Sequence, residues 1–159
     1  MQNNTKCNQT IDFSKSVFYK IEQLSIYTQM LAKNFFEIRR VDLTSDEFAA
    51  LNHILNNPNI CQRDLAKLIL RDRVRTGRIL NSLEEKGYIE RVNDTKNNRL
   101  VRRLTITKSG KKLYNEQFNI LSQIMDKVLE KFPEEKMIEL RDTLTQLETA
   151  LSEVVDFNI

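Results

Sequence analysis

The scarcity of chain-breaking residues is the feature that most constrains how this chain folds. Its 159 residues include only three glycines and two prolines. Because these two residue types interrupt helices and form turns, their near absence predicts long helices joined by few turns. With 40% apolar and 30% charged residues, the chain can bury a core and keep a polar surface. Its length fits one domain, or one domain with an oligomerisation arm.

Helical apolar spacing covers most of the sequence. Apolar residues three and four positions apart predict helices over 11–39, 61–69, 71–87 and 108–131, and a last helix after Pro133. A capping box formed by Thr44 and Glu47 predicts the start of a further helix, which the NNPN stretch at 56–59 ends. Asp72 and Gly87 are the expected caps of the 71–87 helix.

One β-hairpin is expected among these helices. The segments YIERVN at 88–93 and LVRRLTIT at 100–107 are rich in β-branched and aromatic residues, and the polar DTKNNR segment between them has turn character. The predicted fold class is mainly α with a small β-hairpin wing. A winged helix–turn–helix lobe would stand between long N- and C-terminal helices.

The stretch RDRVRTGRILNSLEEKG at 71–87 carries its charges against the helix dipole. Cations crowd its N-terminal half and two glutamates lie near its C-terminal end, although each end of a helix favours the opposite charge. On a helical wheel, one side is apolar and the other is exposed. The apolar side holds Thr76, Ile79, Leu80 and Leu83, and the exposed side holds Arg75, Arg78 and Ser82, flanked by Val74 and Asn81.

The basic residues are concentrated in one block. Residues 60–112 hold fifteen Lys and Arg against six Asp and Glu, a net charge of +9, whereas the rest of the chain carries −6. Such a block indicates a surface that faces nucleic acid, the alternative being a solvated charged face. We expect duplex DNA to supply the charge compensation that the arginines of the 71–87 helix lack.

A helix whose N-terminal half enters the DNA major groove explains these arginines, since they can reach guanine edges or phosphates. A basic hairpin can reach the adjacent minor groove. The candidate DNA-contacting residues are Arg71, Arg73, Val74, Arg75, Arg78 and Ser82 in the helix region and Lys96, Arg99 and Arg102 in the wing. Glu84 and Glu85 would lie at the end that leaves the groove.

The order of these elements resembles the MarR family (multiple antibiotic resistance regulators) over about residues 15–155. The resemblance rests on Leu43-Thr44, on the run from Asp72 to Arg78, on LEEKG at 83–87 followed by YIER, and on Ile106-Thr107 with Gly110. One departure lies in the wing, where the Asp that usually precedes the family's Arg is replaced by Asn97 and Asn98 before Arg99. An Asp–Arg brace that would orient Arg99 is therefore expected to be missing.

The resemblance implies a homodimer that binds double-stranded DNA at pseudo-palindromic operators near promoters, usually as a repressor. It implies a division into an N-terminal dimerisation helix (1–40), the DNA-binding lobe (41–110) and C-terminal dimerisation helices (111–159). Many members release DNA when a small phenolic or aromatic ligand binds, and others respond to thiol oxidation. Candidate pocket residues in this chain are Tyr27, Leu31, Phe35 and Phe48, although these residues can equally fill the core.

Other functions find less support in the sequence. A winged-helix module that binds an acidic protein partner is the first alternative, and a thiol-oxidation sensor of the same family is the second. Cys7 and Cys61 have no metal-binding spacing, and His53 has no ligand partner near it in sequence. Common catalytic motifs are absent, so no enzyme activity, metal or cofactor is expected. Without a membrane-length apolar run or a signal core in MQNNTKCNQT, we expect a cytoplasmic protein with no membrane partner.

Overall fold

The computed structural model describes residues 12–96 and 99–155, with the side chains of residues 95, 96 and 99–101 excepted. A short 3-10 helix, Phe13–Lys15, precedes six α-helices and one hairpin. The elements are α1 Val17–Ile38, α2 Ser45–Asn56, α3 Gln62–Leu68, α4 Arg73–Glu85, β1 Ile89–Lys96, β2 Arg99–Ile106, α5 Lys108–Leu129 and α6 Glu134–Val154. The predicted fold class is confirmed. Within the described ranges, no helix has both the length and the apolar character that crossing a bilayer requires.

The chain divides into two compact units, Met1–Ser45 and Asp46–Ile159. In the first, the Ser16 side chain accepts a hydrogen bond from the backbone N–H of Tyr19 and so caps α1. Near the other end of α1, the rings of Phe35 and Phe36 meet edge to face with centroids 5.2 Å apart, and both residues are buried. Most other large apolar side chains of α1 remain exposed in the single chain.

The second unit contains a core shared by α2, α3, α4 and the hairpin. Its largest fully buried apolar side chains are Leu51, Ile54, Leu65, Leu80, Leu83, Ile89 and Leu104. Residues from five successive elements therefore meet in one core. The apolar side of α4 packs into this core, and the packing fixes the orientation of the helix. Tyr114 joins α5 to α2: its ring stacks on Phe48 at 4.9 Å, and its hydroxyl donates to Oδ1 of Asn52 at 2.7 Å.

Glycine is required by geometry at two positions beside α4. Gly87 has φ +72°, a left-handed conformation that glycine adopts at little cost, and it ends α4 as predicted. A Cβ on Gly110 would collide with the carbonyl oxygen of Tyr88, so the first turn of α5 can approach the start of the hairpin only with glycine there. These two glycines set how α5 leaves the hairpin.

The hairpin is longer than the sequence predicted. The antiparallel ladder runs from the Ile89–Ile106 pair to the Lys96–Arg99 pair, so most of the segment assigned to a turn, 94–99, belongs to the strands. The polar composition of DTKNNR misled the prediction, because exposed strands tolerate polar residues on both faces. At the base of the wing, the backbone of Ile60 accepts a hydrogen bond from Leu104, which ties the hairpin to the loop before α3.

Candidate nucleic-acid interface

The inner face of α4 is built as the wheel predicted. Thr76, Leu80 and Leu83 are fully buried and Ile79 nearly so. The Asp72 carboxylate accepts a hydrogen bond from the backbone N–H of Arg75 at 2.8 Å and caps the helix. This hydrogen bond is the first cause of the lowered pKa of Asp72. The helix is thus pinned by its core side and its N-terminus, with the opposite face turned to solvent.

Four of the predicted residues lie exposed on α4, among them Arg75. Arg73 and Arg78 are both exposed, and Val74 is 66% exposed despite its apolar side chain. Within the part of the chain that the structure describes, the Arg78 guanidinium makes no hydrogen bond or ion pair. Val74 and Arg78 are four residues apart and hence neighbours on the helix surface. A cation and a methyl-bearing side chain therefore stand together on the face that would meet a duplex.

Arg71 and Arg75 share one carboxylate inside the chain. Asp46, in the first turn of α2, receives Nη2 of Arg71 at 2.9 Å on Oδ1 and Nη2 of Arg75 at 2.7 Å on Oδ2. Burial raises the pKa of Asp46, but the hydrogen bonds and charges of the two arginines outweigh it, so that the pKa is lowered overall. The expectation that DNA alone compensates the misplaced cations is therefore wrong for Arg71 and Arg75.

The C-terminal end of α4 also has internal compensation. Arg91 on β1 donates from Nη1 to Oε2 of Glu84 at 2.8 Å and from Nη2 to Oδ1 of Asn81 at 2.7 Å. Sequence reasoning placed Glu84 only by its distance from phosphate and missed this partner, because the pairing joins residues of two different elements. The ion pair stabilises the junction between α4 and the wing.

Ser82 is half-buried rather than exposed. Its hydroxyl donates to Oε1 of Glu47 at 2.6 Å, and the same oxygen receives Nζ of Lys86 at 2.8 Å. Glu47 is buried, 3% exposed, so this carboxylate holds the last turns of α4 against α2. The wheel prediction failed at Ser82 because α2 covers this edge of the helix. A DNA contact by Ser82 stays a prediction.

In the wing, the exposed Arg102 has no partner among the described residues. Lys96 and Arg99 form the last pair of the ladder, but their side chains lie outside the described residues. Arg103 donates from Nε to Oδ2 of Asp94 at 3.0 Å and from Nη1 to the carbonyl of Asn59 at 3.0 Å. An Asp–Arg pair thus does brace the wing, at residues that the sequence comparison with the family did not consider.

The candidate ligand residues fall on two helices. Tyr27, Leu31 and Phe35 lie at intervals of four residues on α1, where Tyr27 is 69% exposed and Phe35 is buried. Phe48, on α2, is half-buried in its stack with Tyr114. Whether any of the four meets a ligand stays a prediction.

The cysteine and metal predictions have limited structural tests. Cys7 lies outside the described residues. The thiol of Cys61 is half-buried and donates to Oδ2 of Asp64 at 3.0 Å. Over residues 12–96 and 99–155, no three His, Cys, Asp or Glu side chains are grouped so that they could hold a metal ion.

Known proteins resemble both the lobe and the whole fold. The MarR family model matches residues 43–101. The chain is 36% identical over 78 residues to YybA of Bacillus subtilis (strain 168), an uncharacterized HTH-type transcriptional regulator. That match covers 49% of this chain and spans about half the length of the relative, 51%.

Solved structures extend the likeness beyond the matched segment. The Staphylococcus aureus MepR–DNA complex superposes with a TM-score of 0.74 at 22% identity, covering 86% of this chain and 96% of that one. The PcaV transcriptional regulator of Streptomyces coelicolor, in complex with its natural ligand, superposes with a TM-score of 0.73 at 16% identity. The match covers 89% of this chain and 97% of that one. At such identities these two structures show a shared fold. Residues 43–101 of this chain are similar to the MarR family of transcription regulators.

Proposed function

We propose that this protein is a dimeric, sequence-specific DNA-binding regulator that represses transcription from pseudo-palindromic operators. The observation that carries the proposal is the exposed face of α4, where Arg78 has no partner among the described residues, on a helix whose opposite side is buried. A structural arginine would pair with a carboxylate, as Arg75 does with Asp46. An unpaired cation beside an exposed valine suits a major groove, where guanine accepts from Arg and the thymine methyl group contacts apolar side chains.

Other cations extend this surface. Arg102 on β2 and Lys108 and Lys111 in the first turn of α5 are exposed. Lys108 and Lys111 oppose the dipole of α5, so they favour phosphate contact over helix stability. The DNA complex of MepR supports this mode of binding for a protein of the same fold.

A homodimer would explain the apolar surface that the single chain leaves open. In α6, none of the residues is buried, and Leu140, Leu144 and Leu151 recur with heptad spacing while 40% or more exposed. Large apolar side chains of α1 and of the second half of α5 are exposed as well. Exposed apolar stripes of this length are typical of protein interfaces. A two-fold dimer would also place two copies of α4 on the two half-sites of a palindrome.

Small-ligand control is the finer part of the proposal. The ligand-bound PcaV structure supports it for the fold, and the exposed ring of Tyr27 on α1 is a candidate contact. A thermal-shift series with phenolic acids tests it: a binding ligand should raise the unfolding temperature and release a bound duplex. No stabilisation together with unchanged DNA binding would remove ligand control while leaving the DNA-binding proposal in place.

Selection of bound duplexes from a random DNA pool, followed by sequencing, tests the proposed function most broadly. A dimeric regulator should enrich a palindrome whose half-sites lie about 10 base pairs apart. Enrichment of no sequence, combined with capture of an acidic protein on the same basic face, would favour the protein-interaction alternative. Sedimentation of the protein alone gives the oligomeric state independently of DNA.

A further inference from the structure

The arginines of the α4 region differ in how many of their guanidinium nitrogens are bound by other groups of the chain. Resting on the DNA-binding function proposed above, we propose that Asp46 is a specificity-determining residue. It locks Arg71 out of DNA contact, orients Arg75 and leaves base readout to Arg78, which has no partner among the described residues. Asp46 itself would touch no base.

Each of the three guanidinium nitrogens of Arg71 donates one hydrogen bond inside the chain. Its Nε and Nη2 donate to Asp46 at 3.3 and 2.9 Å, and its Nη1 donates to the carbonyl of Leu70 at 3.2 Å. Leu70 is itself held in a left-handed conformation, φ 51°, by the helix-ending bonds at the close of α3. Arg71 therefore fastens the turn between α3 and α4 to α2, which is a positioning role.

Arg75 is only partly committed. Nε donates to Oδ2 of Asp46 at 2.9 Å, and Nη2 lies 2.7 Å from the same oxygen, while the side chain remains more than half exposed. Nη1 remains available, in a direction that Asp46 sets. Holding a long side chain in one orientation before binding reduces the conformational entropy lost in the complex.

The ion pairs of Asp46 with Arg71 and Arg75 favour specific over non-specific DNA binding. A mobile arginine can pair with any phosphate, and each such pair adds affinity on every sequence. Asp46 withdraws one cation and orients a second, so fewer cations can adapt to a wrong site. Sequence readout then depends on Arg78 with Val74 beside it.

The test compares the wild type with Asp46→Asn on two duplexes, the palindrome enriched from the random pool and a scrambled duplex of the same composition. Fluorescence anisotropy over a series of salt concentrations gives the affinity and its salt slope. Each released arginine should steepen the slope on scrambled DNA by about 0.9, equivalent to about eightfold in affinity at 0.1 M salt relative to 1 M. The ratio of palindrome to scrambled affinity should fall by a similar factor. Asp126→Asn, which removes an exposed charge of α5, is the matched control and should change neither.

The double variant Arg71→Gln/Arg75→Gln separates two effects of removing the Asp46 charge. One is the loss of the ion pairs that hold the two arginines, and the other is the change in the electrostatic potential at the DNA-facing surface. Adding Asp46→Asn to that double variant should have no effect on scrambled DNA, and an undiminished gain would overturn the inference. Arg71→Gln alone is a second variant, and it should leave the slope of log affinity against log salt unchanged. A slope that is shallower by about one unit would contradict the claim that Asp46 keeps Arg71 from contacting DNA. If Asp46→Asn matches a DNA-binding wild type in slope and ratio, the inference fails and the proposed function stands. If the wild type binds neither duplex, the proposed function itself fails.

Discussion

Nη2 of Arg75 lies 2.7 Å from Oδ2 of Asp46, so a cation on the outer side of α4 is held by a carboxylate of α2. The Glu84–Arg91 pair does the same for an anion at the other end of the helix. Neighbouring elements thus offset much of the charge pattern that opposes the helix dipole. Arg78, which has no such partner among the described residues, carries the argument for an external polyanion.

Replacing Arg78 by alanine should weaken operator binding by about 1–3 kcal/mol and relax base preference at one position of each half-site, because a bidentate guanine contact would be lost. Affinity and preference can be read by anisotropy on a panel of single-base variants of the enriched palindrome. Lys127→Ala, at an exposed position late in α5, is the matched control. An Arg78→Ala protein with unaltered affinity and preference would remove Arg78 from the interface.

Replacing Lys86 by methionine should destabilise the lobe by about 3–5 kcal/mol, since it leaves the buried Glu47 carboxylate without its cation. Urea unfolding at neutral pH measures the change. The double variant Glu47→Leu/Lys86→Met should recover much of the loss, because no buried charge remains. A single variant as stable as the wild type would show that the ion pair contributes nothing.

Two glycine-to-alanine changes should act in opposite directions. At Gly77, inside α4, a Cβ would meet only the Gln62 side chain at 3.5 Å, an ordinary contact, so Gly77→Ala should add about 1 kcal/mol through helix propensity. At Gly110 a Cβ would collide with the Tyr88 carbonyl, so Gly110→Ala should cost about 1–3 kcal/mol. Thermal unfolding should shift by roughly 2–4 °C per kcal/mol in a chain of this size. Equal shifts in one direction would contradict the local geometry.

Acid should weaken the α2–α4 junction below the ordinary carboxyl pKa of 3.8. The pKa of Asp46 is lowered in the folded protein, so the unfolded chain takes up a proton first as the pH falls. The stabilisation is complete above 3.8 and is lost as the pH falls through the lower folded value. Unfolding free energies from about pH 5 to about pH 3 should therefore fall less steeply for Asp46→Asn than for the wild type. Parallel curves of unfolding free energy against pH for the two proteins would show that the arginines do not stabilise the ionised Asp46 carboxylate in the folded protein.

A charge in the exposed stripe of α6 should separate the proposed dimer. Leu144 is 40% exposed in the single chain, so Leu144→Glu need not disturb the lobe, but it would place a carboxylate in an apolar interface. Sedimentation should show monomers, and operator affinity should fall because the two half-sites are no longer bound together. Gln146→Glu, two residues away, is the control for added charge. A Leu144→Glu protein that sediments like the wild type would exclude this face as the interface.

Local sequence signals were enough to predict the helices and the inner face of α4. Apolar periodicity, the Asp72 cap and the Gly87 end each depend on residues close in sequence, and all three are confirmed. The resemblance to the MarR family was recognised from the order of these elements. Local rules failed at the hairpin tip, where polar residues that favour turns instead form strand pairs up to Lys96 and Arg99.

The partners of the charged residues could not be predicted in the same way. Asp46 and Arg75 are 29 positions apart, and Glu47 and Lys86 are 39 apart. No pattern within a helix signals which carboxylate of α2 will reach which cation of α4, since that depends on how the helices pack around the shared core. The sequence therefore indicated a cationic helix face but could not show which of its arginines are already bound.

The salt dependence of duplex binding by the wild-type protein tests the central claim most directly. If the face of α4 and the wing bind the DNA backbone, the logarithm of affinity should fall linearly with the logarithm of salt concentration, by about 0.9 for each phosphate neutralised. Several contacts in each lobe would give a steep slope, which Arg78→Ala should reduce. Absence of binding to duplex DNA at low ionic strength would contradict the account.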